Sequence, residues 1–535
     1  MGITTAGFLG FICGTILVYY LVSNRWKWIV LLLASVIFYL SFSVTGIFVL
    51  IGTALLTWFC ALKVQKGKDA EAAWMAENKK VVDKETRQKQ KEWYKRQRRK
   101  YIALCVSVCV GSLFLFKYYG NVAKGINSWF GINLWTAEKI LIPLGISYYS
   151  LQLIGYLIDV SRDIIPAEKN ALKVILYGMF FLSIMQGPFN RYGDLMPQVC
   201  RNESKRITPV QFKNAMVRIC AGYIKKLCIA DQVGMIAREA MGNYSQYTGA
   251  TILVGIVCYA IQLYADFSGY MDIVIGIGEL FGICLPENFR QPFFSRSIQE
   301  FWQRWHITLG AWLKDYVFYP LLKTKTIRNL EQNLTKRIGK ELGRKIPTFF
   351  AMLILWILIG TWHGAQMNYI FSVGLLQFIY IIGGELFQPI ANRIKKLLHI
   401  GSNNIILRII QSIRVTVLMM FAWVFFFSRG FSDAFGIVKQ LFQGGFFQVD
   451  IMQMITNGFN MGALNRTVIY FLPAVLIIML ALDLLHERGI HIREALDRKF
   501  FLIRLCVYVG MLVVLLVFGA YGTQYIASNF IYFEF

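Results

Sequence analysis

The chain has 535 residues, with 56 Lys and Arg against 30 Asp and Glu, a formal charge of +26, and it is 56% hydrophobic but only 16% charged. Ordinary soluble domains are roughly 25% charged, so too few charges remain to coat a water-facing surface, and there is far too much apolar sequence for disorder. A soluble multidomain protein is excluded; the composition points to one all-α polytopic membrane body over residues 1–535.

From the N-terminus, no Lys or Arg precedes Arg25. The run from Thr4 to Val22 therefore lacks the basic start of a cleavable signal and is expected to stay as a span. Apolar stretches follow at 28–43, 45–62, 101–119, 140–160, 171–187, 247–264, 347–362, 368–386, 411–428, 466–484 and 502–520. Several are shorter than the ~20 residues of a straight span. Region 205–235 mixes Arg218, Lys225 and Lys226 with apolar residues and reads as an amphipathic helix at the membrane interface. Residues 286–322 alternate charges and aromatics. A broken or re-entrant element is expected there, its backbone covered by protein or by a water-filled cavity.

The positive charge is concentrated between apolar runs. Lys63 to Lys100 holds 14 basic against 6 acidic residues, and Lys323 to Lys345 holds 8 against 2. That distribution fits the positive-inside rule rather than nucleic-acid binding, with anionic lipid headgroups as natural contacts. The segment 63–100 reads as a basic cytoplasmic loop or helix. With 323–345, 393–408 and 486–504 also cytoplasmic, both termini are expected to fall outside. The ten cysteines show no CxxC pair and no zinc spacing, so no metal is expected and buried free thiols are the plain reading.

Of five histidines, His399, His486 and His491 fall in predicted loops and read as solvated residues. His363 stands in Ile359-Gly360-Thr361-Trp362-His363-Gly364-Ala365, at the end of an apolar run. A charged group at membrane depth costs about 2.5–3.5 kcal/mol on insertion scales. A neutral imidazole costs less but still marks a site, against the alternative of a hydrogen-bonded structural histidine. Flanking glycines are expected to let a substrate approach the ring. His306 lies in Phe301-Trp302-Gln303-Arg304-Trp305-His306, followed by Trp312 and Asp315; these tryptophans read either as part of a site or as an interfacial aromatic belt. Upstream, Asp266 and Asp272 need cationic partners, for which Arg290, Arg296 and Arg304 are the near candidates in sequence.

The run from Tyr264 to Pro320, with DFSGYMD, PENF and PFFSRSIQEFWQRWHITLGAWLKDYVFYPL, followed by GTWHGA, resembles the membrane-bound O-acyltransferases. It is similar in particular to the bacterial branch of the alginate O-acetylation membrane subunit and the teichoic-acid D-alanyl transferase. Ser147-Tyr148-Tyr149 through Asp159-Val160, Gln186-Gly187-Pro188 and Arg191 fit the same branch, so the resemblance covers about residues 140–380. One departure is Leu321-Leu322-Lys323 after Pro320, where the alginate type usually has a glycine pair.

The resemblance implies a ring of roughly 11–14 transmembrane helices, with re-entrant and interfacial helices around a central through-membrane funnel. It implies His363 as the catalytic histidine and His306 as the second, with Trp305, Trp362, Asn288, Asp266, Asp315 and Arg304 as channel or supporting residues. No tightly bound cofactor is implied. The acyl donor is a cytoplasmic thioester, acetyl-CoA or an acyl carrier protein, and an extracytoplasmic SGNH-hydrolase-like partner completes delivery to a secreted or cell-surface polysaccharide. The tail 522–535 ends Phe530-Ile531-Tyr532-Phe533-Glu534-Phe535. Its pattern resembles the tail of a small peptide that accompanies teichoic-acid D-alanylation. That implies an acyl relay on Tyr532, against the alternative of an aromatic anchor. D-alanyl transfer to teichoic acid is the enzymatic alternative. A lipid-linked sugar transporter using Asp266, Asp272 and the histidines as a proton relay, or a scaffold, are those of other classes.

Overall fold

The computed structural model describes residues 2–131, 142–201, 207–364, 366–399, 401, 404–443 and 466–521. Among these the chain is helical, and its β-type pairing is one isolated antiparallel bridge between Phe289 and Trp305. Seven helices among the described residues are long and apolar enough to cross a membrane. The chain divides into two compact units, residues 1–208 with 278–286 and residues 209–277 with 287–535.

The first unit carries α1 (Ala6–Leu21), α2 (Lys27–Leu40), α3 (Val44–Glu77), α4 (Lys84–Phe130), α5 (Ile146–Ser161), α6 (Ala171–Met179) and α7 (Tyr192–Val199). Of the loop and helix readings of the basic segment 63–100, the helix holds on both sides of a short turn. α3 runs 34 residues and α4 runs 47, about 51 and 70 Å at 1.5 Å per residue. Both therefore outrun a ~30 Å hydrocarbon core. The turn between them is confined to residues 78–83, and the Asp83 carboxylate caps α4 by accepting from the Glu85 and Thr86 amides at 2.9 and 3.0 Å. Below the turn an Arg98–Glu71 ion pair ties the two helices together. The stretch 171–187 also departs from expectation. α6 ends after 9 residues, and Phe180 to Asn190 is buried, largely non-helical chain. Side chains satisfy part of its backbone: Phe181 donates its N–H to Ser35 Oγ at 3.2 Å, and the Asn190 carbonyl accepts from the Tyr177 hydroxyl at 2.7 Å. Such partners make a buried irregular backbone tolerable.

The second unit opens with α8 (Pro209–Tyr223), a π-helical stretch Ile224–Ala230 and α9 (Asp231–Gly242), then α10 (Gly249–Leu280). Region 205–235 is an interface helix only in part: the first half of α8 exposes Val210, Phe212 and Met216, but from Arg218 onward its cations turn inward. Lys226 is fully buried, Arg218 and Lys225 are largely covered, and all three end on carboxylates. The broken reading of 286–322 is borne out: α11 (Ile298–Arg304), α12 (Ile307–Leu313), a π-helical turn Lys314–Phe318 and α13 (Tyr319–Leu322) replace a span. The second basic segment is again helical, α14 (Lys325–Ile338) turning at Gly339 into α15 (Lys340–His363). There follow α16 (Met367–Ile370), α17 (Leu376–Leu397), α18 (Ile405–Phe427), α19 (Phe431–Gln443), α20 (Arg466–Glu487), α21 (Ile492–Asp497) and α22 (Phe501–Phe518).

Candidate active site

His306 occupies a turn that the chain builds around Asn288. Between α11 and α12 its backbone takes φ 49° and ψ 48°, the left-handed region that a non-glycine residue enters at a cost of about 1–3 kcal/mol. Asn288 holds that conformation from both its ends. Its carbonyl accepts the Ile307 N–H at 3.1 Å, and its Oδ1 accepts the Thr308 N–H at 3.0 Å and the Thr308 hydroxyl at 2.9 Å. Oδ1 also stands 3.4 Å from His306 Nδ1. On the next residues Arg290 donates its N–H to the Arg304 carbonyl at 2.9 Å, beside the Phe289–Trp305 bridge. The buried imidazole meets Phe267 of α10 edge to face at 4.9 Å and the Trp362 indole at 5.9 Å.

His363 is reached differently. It is the last residue of α15, is 3% exposed, and lies 4.8 Å from the Trp362 ring and 5.8 Å from that of Phe426 on α18. Asn368 ties the turn that follows to the end of α18, donating to the carbonyls of Phe425 at 3.1 Å and Ser428 at 2.7 Å. The two imidazoles thus share the Trp362 ring, with centroids within about 11 Å of each other. The flanking glycines do not leave the ring open to substrate. A Cβ at Gly360 would stand 2.7 Å from Ile370 Cα, and one at Gly364 would stand 2.3 Å from the Tyr369 ring. Their missing side chains admit the protein's own 366–370 turn.

Trp305 stacks on Phe301 at 5.5 Å and meets Phe289 at 5.0 Å and Trp423 at 5.5 Å. It and Trp312 are buried in protein, which overturns the interfacial-belt alternative for both. Arg304 forks between Glu300 at 2.8 Å and Glu487 at 2.6 and 3.1 Å. One turn earlier on α20, Asp483 accepts from the Tyr264 hydroxyl at 2.9 Å. Asp266 pairs with none of the expected arginines: Lys226 Nζ lies 2.6 Å from it and 2.9 Å from Asp231. Burial alone would lower the Lys226 ammonium; the Asp266 and Asp231 charges outweigh that and hold it above its ordinary value. Asp272 likewise pairs with Lys225 at 2.8 Å and Arg218 at 3.1 Å. Asp315 sits half-buried in the Lys314–Phe318 turn. His399, His486 and His491 are exposed, and Tyr532 lies outside the described residues.

Sequence reasoning missed Lys226, Asp231, Asp483 and Glu487. The signal for the first pair was present, since two carboxylates in an apolar run oblige a cation, and Lys225-Lys226 lay within an apolar segment. Asp483 and Glu487, four apart, share one helix face, but their partners are some two hundred residues away.

Two buried imidazoles meet around one tryptophan in this all-helical membrane chain; imidazole ordinarily suits a general base near neutrality, but burial pushes His306 down to about 3. The sequence model of the membrane-bound O-acyltransferase family matches residues 37–335. The chain belongs to that family and is an O-acyltransferase. The matched stretch includes Asn288 and Trp305-His306 and ends before Trp362-His363. The chain is similar to the probable alginate O-acetylase AlgI of Pseudomonas aeruginosa, 28% identical over 449 residues, 83% of this chain and 76% of that one. The peptidoglycan O-acetyltransferase of Helicobacter pylori is 27% identical over 457 residues, 81% and 76% of the two chains. The teichoic acid D-alanyltransferase of Bacillus subtilis is 29% identical over 245 residues, 44% and 56%.

Proposed function

We propose that this enzyme moves an acetyl group from a cytoplasmic thioester across the bacterial cytoplasmic membrane for O-acetylation of a secreted or cell-surface polysaccharide. The observation that carries the reading is the pair of buried imidazoles meeting at Trp362. Similarity to an alginate O-acetylase over most of both chains supports the choice of acetyl and polysaccharide. In this reading His363 takes the proton of the attacking hydroxyl as its oxygen adds to the thioester carbonyl. The C–S bond then breaks, and the thiolate leaves with the proton that His363 returns. His306 stays a neutral hydrogen-bonding group, its orientation set by Asn288. Trp305, Trp362, Arg304 and Asp315 line or brace the path, and Asp266 braces α10 through Lys226.

The first acceptor is the Tyr532 phenol. With a pKa of about 10 it is a weak nucleophile at neutral pH and needs His363 as base; its ester is in turn a reactive donor. An extracytoplasmic SGNH-hydrolase-like partner collects the group. Coenzyme A or a carrier protein delivers it on the other side, and no tightly bound cofactor takes part.

The test is peptide-level mass spectrometry of the full-length protein after incubation with acetyl-CoA, an acetyl carrier protein or a D-alanyl carrier protein. An acetyl adduct on Tyr532, lost in His363→Ala, is expected. A D-alanyl adduct would move the assignment to teichoic-acid chemistry. Polysaccharide acetylation that survives His363→Ala would overturn the mechanism, and its survival in Tyr532→Phe would remove the relay alone.

A further inference from the structure

A second polar cluster stands apart from the imidazole pair, where α8, α21 and α22 meet. Lys213 of α8 forms an ion pair with Asp497, the last residue of α21. Arg493, one turn earlier on α21, donates to the carbonyl of Asn214 at 3.3 Å, next to Lys213 on α8. Arg504 enters from the first turn of α22, which packs against α8. Its Nε is buried and has no hydrogen-bond partner among the described residues. Arg493 and Arg504 thus stand close enough to Lys213 for their charges to bear on it, beside the carboxylate of Asp497. Arg498 and Lys499 are exposed beside it and outnumber the single further acid of α21, Glu494. The Lys213 ammonium registers the excess: it is held below its usual range by burial and by the Arg504 and Arg493 charges.

The surroundings say what anion belongs there. Among the described residues none of the α22 spanning stretch is buried in protein, so the side turned away from α8 faces lipid. Exposed apolar residues continue from the cations on both helices, Phe212 and Met216 on α8 and Phe501 and Leu505 on α22. Arg504 lies at the start of the apolar run, the depth at which a phospholipid carries its phosphate. A free phosphate would use the cations and leave the apolar flanks bare, whereas a phospholipid uses both. Guanidinium groups suit this role because their donors match phosphate oxygens in pairs.

We infer that Lys213, Arg493 and Arg504 form a binding site for the phosphate of an anionic phospholipid, its acyl chains lying along the outer faces of α8 and α22. The site stands whether or not the polysaccharide reading holds, because it uses none of the residues assigned to acyl transfer.

The experiment is native mass spectrometry of the whole protein released from phosphatidylcholine nanodiscs with and without phosphatidylglycerol. The variants are Arg504→Gln, Lys213→Gln, Arg504→Lys and the control Lys91→Gln on α4. Wild type and Lys91→Gln should retain phosphatidylglycerol over phosphatidylcholine. Each glutamine variant should lose about fivefold in that preference, the worth of one basic residue near an anionic surface. Arg504→Lys should recover part of it, which a misfolded protein would not do. Equal retention by wild type and both glutamine variants would overturn the site. Displacement of the lipid by soluble glycerol phosphate would overturn the lipid assignment in favour of a free phosphate.

Discussion

His306 and His363 are buried to nearly the same degree, 2% and 3% exposed, yet opposite means hold them. His306 sits in a strained left-handed turn kept by hydrogen bonds that converge on a single residue, Asn288, through its carbonyl and its side chain. His363 ends a 24-residue helix and is kept by ring packing against Phe426 and by the Asn368 tether. A site held by directed polar contacts fails when one atom is lost. A site held by volume gives way by degrees. The same chain therefore carries one imidazole that is sensitive to chemistry and one that is sensitive to shape.

The sharpest way to break the comparison is His363→Ala, expected to reduce acyl transfer about 10²- to 10⁴-fold, the usual worth of a general base. It is read as turnover of labelled acetyl thioester in proteoliposomes, with unfolding little changed. Next comes Lys226→Met, which leaves Asp266 and Asp231 buried without their cation behind Phe267. Removing one partner of a buried ion pair costs about 3–5 kcal/mol, read as thermal stability in detergent, and Lys226→Arg should recover part of it. Asn288→Ala leaves the Thr308 donors without their acceptor and should cost about 1–3 kcal/mol, with a fall in turnover beyond what lost stability explains. Asn368→Ala, the matching change on the His363 side, should lower turnover less than Asn288→Ala does. The smallest effect is that of Glu487→Gln, which weakens a partly exposed ion pair with Arg304 and should cost about 0.2–1 kcal/mol. Should Glu487→Gln match Asn288→Ala in its effect on turnover, the α20 clasp rather than Asn288 governs the His306 turn.

How much of this was legible in sequence follows from how far each feature reaches along the chain. Composition and hydropathy are local sums, so the all-helical membrane class and the broken segment 286–322 could be read directly. Both histidines stood out because ionisable groups are scarce in such sequence. The partners of Asp266 and Asp272 were missed in favour of nearer arginines, because α8 and its π-helical continuation supply them from forty or more residues upstream. Whether 63–100 is loop or helix was left open for another reason: hydropathy reports where lipid ends, whereas α3 and α4 go on forming backbone hydrogen bonds in water. The apolar stretches also outnumber the seven candidate spans because apolar sequence can bury itself in protein. α6 stops after 9 residues, and the segment after it is buried without being helical. The Gly360 and Gly364 positions were misjudged because a small residue next to a histidine has the same appearance whether ligand or protein fills the space.

The turn at residues 78–83 gives the molecule a built-in marker of sidedness. Lys79, Lys80 and Lys84 are exposed there, at the tip of a hairpin whose helices carry it about 20 Å past the end of their apolar sequence. Trypsin added to one face of a sealed vesicle can reach that tip only when the hairpin projects from that face. A single cut in right-side-out or in inverted vesicles would therefore fix the orientation of α3 and α4 in the membrane.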